Sequence, residues 1–396
     1  MKAIAVIEKN TTKRHKALEA LLAKQHGQTL LLLPEVHMLD AYTGNGTIFH
    51  AGLSASRKKE IWHGVASGEI QHIVGTQKAL FLPFKHLNAI AIDEEQSESY
   101  KLWSQYPRLH TVRAAQQLAS LTKAKLIYGS SYPSIRLRYA IAQGACTVKE
   151  NNPVRIMPKI VSFSFEDRKW KRPIPDEASR DIRRWAATGK TVLVFYNKKD
   201  NAALKKGLLG RLSAAAKKNI TIATAAILVQ TQEGSYDYVV WVSPELSMRV
   251  LDYRANERTR ILAARLQNIA PQKKLLCVTR YADIVGSVLD VSDEQWEEKT
   301  LRERKLLFFP PFSDIVRCTV RDKSATKALA RATDAMSMMQ KTLGSSARVF
   351  GPLTEKGTKK KNAEYYIVAI GPLDALVGAY KSLPIDGADV DPNVIT

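Results

Sequence analysis

Short apolar runs separated by helix-like stretches fill roughly the first 150 residues of the chain. "AIAVIE" leads into "HKALEALLAKQHG", whose apolar positions recur at helical spacing, and then into "TLLLLPE". "IVGT", "AIAIDEE" and "AKLIYGSS" follow, spaced by "ASRKKEIWHGVASG" and "VRAAQQLASLT". Strands that are apolar throughout are buried on both faces, so the pattern predicts a parallel sheet with helices on each side. Such sheets carry their sites beyond the strand ends, where this chain places polar or small residues.

The alternation breaks at "KENNPVRIMPKIVSFSFEDRKWKRPIPDE", rich in Pro and charge, which reads as a linker or edge connection. It resumes with "TVLVFYN", "NITIATA", "YDYVVWVSPE" and "KKLLCVT", predicting a smaller α/β unit. The remainder opens with a helix, "DEQWEEKTLRERKLL", turns at "FFPPFSD" and runs β-α-β to "EYYIVAIG", a small α+β domain. The expected organisation is therefore 1–150, 151–290 and 291–396, in an α/β fold class.

Charge adds a partner to this picture. Sixty Lys plus Arg against 38 Asp plus Glu give a formal charge of +22, which favours a polyanion. The basic runs are scattered ("KRHK", "SRKKE", "DRKWKR", "RERK", "KKK"), which suits an extended groove better than one tail. No apolar run approaches a membrane-spanning length, and "MKAIAVIEKN" reads as a buried strand rather than a signal peptide. Cys146, Cys277 and Cys318 lie too far apart for a zinc site or a disulfide framework, so no metal is expected and a reduced, cytoplasmic compartment fits. The eight histidines lack metal spacing, and no G-x-S-x-G or Cys-His arrangement suggests a hydrolase.

Seven segments carry a resemblance in order along the chain: "LLPEV", "HAGLSASRKKEIWHGVASGEIQHIVGTQKALFLPFKHLNAIAIDEEQSESYK", "GSSYPS", "VLVFYNKK", "LDYRANERT", "ERKLLFFPPFSD" and "GADVDPNVI". Together they resemble the primosomal protein N′ (PriA) replication-restart helicases of bacteria. The resemblance implies two RecA-like helicase lobes with a nucleotide cleft, followed by a small C-terminal α+β domain. It also exposes departures. The family's N-terminal DNA-binding domains have no counterpart before Met1, and its cysteine-rich zinc insert is replaced by "NKKDNAALKKG", so no zinc is expected.

The motor parts fare unevenly. ATP hydrolysis needs a glycine-rich loop with a Lys on the phosphates and a Ser or Thr on magnesium. The corresponding "IEKNTTKRHKALEALL" has no glycine; Lys13 falls within a residue of the family's lysine, with Thr12 at the helix start, and a surface lysine after an N-cap threonine is the alternative. Gly189-Lys190-Thr191 imitates the tail of a phosphate loop, but a strand follows it and it reads as a turn. By the resemblance, Asp93 would hold magnesium and Glu94 would orient the attacking water. Gln96 stands in place of the family's histidine, and Ser131 and Tyr132 alter its coupling motif. After "ERT" the arginine-finger helix reads "RILAARLQNIAPQ", with Arg260 and Arg265 out of register.

The resemblance further assigns DNA contacts to Tyr100, Lys101, Trp103, Tyr106, Arg108 and Arg113 in and beyond the loop after "DEEQ", and to Gly75, Thr76 and Gln77. Lys359, Lys360 and Lys361 form a basic loop suited to phosphate. The expectation is a DNA-binding replication-restart factor, with forked or single-stranded DNA and primosome proteins as partners, that does not unwind. ATP and magnesium bind only if the degenerate site still works. The rivals are a divergent but active 3′-5′ helicase and a protein-interaction scaffold of the replisome.

Overall fold

The computed structural model describes residues 2–103, 107–163, 174–198, 201–210, 212–229, 231, 233–249, 252–354 and 363–392. They form two compact units, Met1–Asn151 together with Glu298–Thr396, and Asn152–Glu297.

The first part of the larger unit runs β1 (Ala3–Glu8), α1 (Thr11–Leu22), β2 (Gln28–Leu32), α2 (Val36–Asp40), β3 (Thr47–Phe49), α3 (Ala55–Ser67), β4 (His72–Gly75), β5 (Leu87–Ile92), α4 (Thr111–Thr122), β6 (Lys125–Ser130), α5 (Ile135–Ala142) and β7 (Cys146–Asn152). The strands form one sheet in the order β3-β4-β2-β5-β6-β1-β7. From β3 to β1 every neighbouring pair is parallel. Alternate residues of each strand feed opposite faces. Ile4, Val6, Leu31, Ala89 and Ala91 meet Leu18 and Leu22 of α1 and Leu39 of α2. Ala5, Ile7, Leu30, Leu32, Ile90 and Ile92 meet α3, α4 and α5 through Ile61, Val65, Val112, Ala115 and Leu137.

The second unit contains β8 (Pro158–Ser162), α6 (Asp176–Ala187), β9 (Val192–Phe195), α7 (Ala202–Leu209), α8 (Ala214–Lys218), β10 (Ile220–Ala223), β11 (Tyr238–Val242), α9 (Glu245–Met248), α10 (Ala255–Ile269), β12 (Leu275–Thr279) and α11 (Ala282–Leu289). Its five strands, ordered β10-β9-β11-β12-β8, are all parallel. Helices cover both faces: α6, α7 and α8 pack on Val192, Val194 and Val240, and α10 and α11 on Leu193, Phe195 and Trp241. The Pro- and charge-rich stretch read as a linker or edge connection contributes β8, which stands at the edge of this sheet and, among the described residues, pairs with β12.

The chain then returns through α12 (Asp293–Leu307) to β13 (Asp314–Asp322), α13 (Ala325–Leu343), β14 (Arg348–Leu353), β15 (Ala363–Gly371), α14 (Leu373–Tyr380) and β16 (Gly387–Val390). These strands make a sheet in the order β14-β15-β13-β16 with every pair antiparallel. α13 and α14 cover the face carrying Val316, Cys318, Ile367 and Ala369. The architecture is thus the expected α/β one, two helix-covered parallel sheets with a small antiparallel α+β part.

Lys101 pairs antiparallel with His110, and Leu102 N–H donates to the Leu109 carbonyl at 2.9 Å. The segment 107–110 joins the C-terminal sheet beside β16. Arg108 N–H donates to the Ala388 carbonyl (2.8 Å) and Val390 N–H to the Arg108 carbonyl (3.0 Å). Among the described residues, no helix is long and apolar enough to cross a membrane.

Candidate active site and nucleic-acid interface

Asp93 stands at the end of β5, where its N–H donates to the Leu32 carbonyl at 2.9 Å. Facing it is the β1–α1 connection. Asn10 caps the helix by accepting the Lys13 N–H at 3.0 Å, so α1 begins four residues earlier than the "HKALEALL" pattern suggests. The helical period then decides what points inward. Arg14, Leu18 and Leu22 share the buried face at spacings of four, while Thr12 and Lys13 are exposed.

Arg14 is fully buried and occupies the centre of the site. Its Nε lies 2.5 Å from Asp93 Oδ1, its Nη2 3.2 Å from Asp93 Oδ2 and 2.6 Å from Glu94 Oε1, and its Nη1 donates to the Glu8 carbonyl at 2.7 Å. His15 Nε2 is 2.8 Å from Asp93 Oδ2. The Tyr100 hydroxyl, also fully buried, lies 2.7 Å from the Asp93 carbonyl oxygen. Burial pushes the Asp93 carboxyl up, but Arg14 and His15 outweigh it and hold the group well below the usual carboxylate range. Burial likewise works against the Arg14 charge, and Asp93 and Glu94 more than restore it. Burial, then the neighbouring carboxylates, push the Tyr100 hydroxyl well above its ordinary value.

A magnesium ion needs open carboxylate oxygens at about 2.1 Å, and a phosphate needs a concave row of free backbone N–H groups. Here both Asp93 oxygens are taken by cationic or imidazole nitrogens, and the loop before α1 is closed by its own asparagine cap. As arranged, these residues do not fit a magnesium–phosphate group. The Arg14 guanidinium supplies the positive charge the carboxylates face. Among the described residues, no cluster of three or more His, Cys, Asp or Glu is arranged to hold a metal ion. The three cysteines are buried and unbridged.

The rest of "DEEQ" is bonded to "GSSYPS". Glu94, at a left-handed φ of 48°, accepts from Ser131 Oγ at 2.8 Å and from the Gln96 amide. Ser130 Oγ donates to Gln96 Oε1 at 2.6 Å. Glu95 accepts the Ser134 N–H and hydroxyl, both at 2.8 Å, while Ser134 caps α5. Tyr132 is buried beneath Arg138, whose guanidinium carbon is 4.8 Å from its ring centroid. Gly129 lets this layer close: a Cβ there would sit 2.6 Å from Asp93 Oδ1 and 2.8 Å from Leu18 Cδ1. Gly129→Ala is expected to cost about 1–3 kcal/mol by overpacking, read as a lowered urea midpoint. An unchanged midpoint would show that the Asp93 layer has slack.

The residues expected to face DNA divide sharply. Lys101, with Tyr100, is in the interior. Its ammonium lies 2.5 Å from Asp389 Oδ1 and 3.1 Å from the Arg108 and Asp391 carbonyl oxygens, and also bonds the Val390 carbonyl. A buried, fully engaged side chain neither stacks a base nor meets a phosphate, so Tyr100 and Lys101 act as internal struts in this arrangement. Gly75 and Thr76 are also buried, and Gln77 is half-buried with its amide on the Ser99 carbonyl. A Cβ on Gly75 would sit 2.4 Å from the Phe49 carbonyl oxygen, so glycine there serves strand packing. Arg113 pairs with Asp314 at 2.7 Å, and Arg136 with Asp314 and Asp391 at 3.3 and 3.4 Å. Trp103 is 50% exposed, with the Arg108 guanidinium 5.9 Å from its ring. Tyr106, Lys359, Lys360 and Lys361 lie outside the described residues.

In the second unit Arg260 is buried. It donates to the Val288 carbonyl at 2.6 Å, pairs with Asp293 and stacks on Trp296 at 4.9 Å. Arg265 donates to the Leu228 carbonyl at 2.9 Å. Both arginines are committed to helix packing. Gly189 lies in a turn at φ 80°, and Asp237 accepts the Thr191 N–H (2.9 Å) and pairs with Lys190 (3.2 Å). The Gly-Lys-Thr sequence is a turn clasped by a carboxylate.

No family model matches the chain. It is 29% identical over 199 residues to the replication restart protein PriA of Bacillus subtilis, covering 46% of this chain and 24% of that protein. It is 30% identical over 166 residues to PriA of Synechocystis (40% and 19%), and 28% identical over 185 residues to PriA of Thermotoga maritima (44% and 25%). The chain therefore spans a quarter or less of the length of these curated relatives. Among solved structures, it is similar to RecG bound to a three-way DNA junction, with TM-score 0.40 and 14% identity over 76% of this chain and 40% of that one. It is also similar to the DUF1998 helicase MrfA bound to DNA and AMPPNP, with TM-score 0.45 and 9% identity over 78% of this chain and 48% of that one.

Proposed function

We propose that this PriA-like chain binds forked or single-stranded DNA in replication restart without ATP-driven unwinding. Its sequence relatives and its charge of +22 support the DNA partner. The observation that carries the rest is Arg14, whose guanidinium takes both Asp93 oxygens and one of Glu94. A motor must alternate between nucleotide-bound and empty states, and a carboxylate held by an internal cation offers no such alternation. The Glu94, Gln96 and Ser131 contacts keep the shape of a coupling device with nothing to couple.

The test is ATP turnover by the whole chain with and without a forked oligonucleotide, with fork binding followed in the same samples. Turnover is expected at the protein-free background, with salt-sensitive fork binding and no rise in melting temperature on adding Mg-ATP. DNA-stimulated turnover would overturn this reading in favour of an active helicase. Absence of fork binding at moderate salt would leave the chain as a protein-interaction scaffold.

A further inference from the structure

We propose that the end of α12 and the edge strand β14 form a stacking site for bases of a single-stranded nucleic acid, centred on Phe308 and Phe350. The proposal rests on the DNA-binding reading above and adds the place where bases are held, built from residues other than those of the Asp93 site.

Phe308 follows the last residue of α12 at φ 58°, a left-handed conformation costly for a bulky side chain, and its ring is 47% exposed. The guanidinium carbon of Arg348 lies 3.8 Å from its ring centroid, so one face of the ring already carries a flat cation. Phe350 is two residues further along β14, on the same side as Arg348, and is 48% exposed. Leu306 and Leu307, just before Phe308, are also exposed.

The charges on β14 and the last turns of α12 select the partner. Arg348, Lys305 and Arg302 are exposed, and among the described residues none of them is paired with a carboxylate. An apolar protein face would strip water from these three cations and return nothing. A single strand brings bases to the rings and phosphates to the cations. Because β14 lies at the sheet's edge, a strand has lateral access to the site.

The test is fluorescence anisotropy of the full chain with a labelled oligothymidine and, separately, a blunt duplex, at one moderate salt concentration. Phe308→Ala and Phe350→Ala are each expected to weaken the oligothymidine about tenfold and to leave the duplex and the thermal midpoint unchanged. Phe308→Trp should bind like the wild type, and Phe308→Leu, apolar without a π face, like Phe308→Ala. Wild-type chain that binds neither DNA would overturn both this site and the reading beneath it. Wild-type binding with Phe308→Ala and Phe350→Ala unaffected, or full binding by Phe308→Leu, would overturn the site alone. Capture of an acidic peptide that Phe308→Ala abolishes, with oligothymidine unaffected, would give the patch to a protein and overturn it likewise.

Discussion

Arg14→Ala is expected to destabilise the larger unit by about 3–5 kcal/mol, because it strands a buried carboxylate. Asp93 is fully enclosed, and the substitution removes contacts at 2.5 and 3.2 Å, leaving His15 as its side-chain partner in the site. The double variant Arg14→Met with Asp93→Asn should recover much of the loss, since neither residue then carries a charge to bury. Urea unfolding of the wild type, Arg14→Met, Asp93→Asn and the double variant measures the coupling directly. A single-variant cost under about 0.5 kcal/mol would mean that Arg14 does not hold the site, and the pseudo-helicase reading would lose its main support.

The same pair sets an acid limb. Asp93 has its folded-state pKa held below the unfolded value of about 3.9. Its contribution is therefore complete above that pH and drains away as pH falls below it toward the folded value. Arg14 does not titrate anywhere in this range. The wild type should lose stability below about pH 4 more steeply than the neutral double variant, and parallel acid limbs would contradict the pairing.

Much of the fold is legible because buried parallel strands announce themselves. "AIAVIE", "TLLLLPE", "AIAIDEE" and "AKLIYGSS" overlap β1, β2, β5 and β6, as apolar runs hidden in a doubly covered sheet. β8 escapes because "PKIVS" carries a proline and a lysine that only an edge position tolerates. The missing glycines of the phosphate loop are equally plain in the sequence. Their replacement is not. "KRHK" looks like a solvated basic run, and only the four-residue spacing of Arg14, Leu18 and Leu22 hints that one cation turns inward. Its carboxylate partner lies 79 residues away, across a sheet whose assembly no local pattern encodes. The interior placement of Tyr100 and Lys101 is hidden for the same reason. Aromatic and basic residues in one loop suggest a nucleic-acid surface, and the acid that claims Lys101 is 288 residues downstream.

That distant pairing makes Lys101→Met the sharper test of the interface. The Lys101 ammonium is surrounded by Asp389 Oδ1 and the carbonyl oxygens of Arg108, Val390 and Asp391, and it ties Lys101 and Arg108 to the C-terminal sheet. Methionine keeps the length of the stem and removes the charge. Asp389, also buried, would then have Arg317 at 3.8 Å and Arg108 at 4.0 Å as its remaining ion-pair partners. The expected cost is about 3–5 kcal/mol, with faster hydrogen exchange at the Arg108 and Val390 amides, which join Arg108 to the sheet. A strut and a phosphate contact predict opposite outcomes. As a strut, Lys101→Met lowers stability and leaves the salt dependence of fork binding as it was. As a phosphate contact, it leaves stability untouched and lowers the salt slope by about 1. The second result would restore Lys101 to the DNA surface and require Lys101 and Arg108 to leave the sheet when DNA binds.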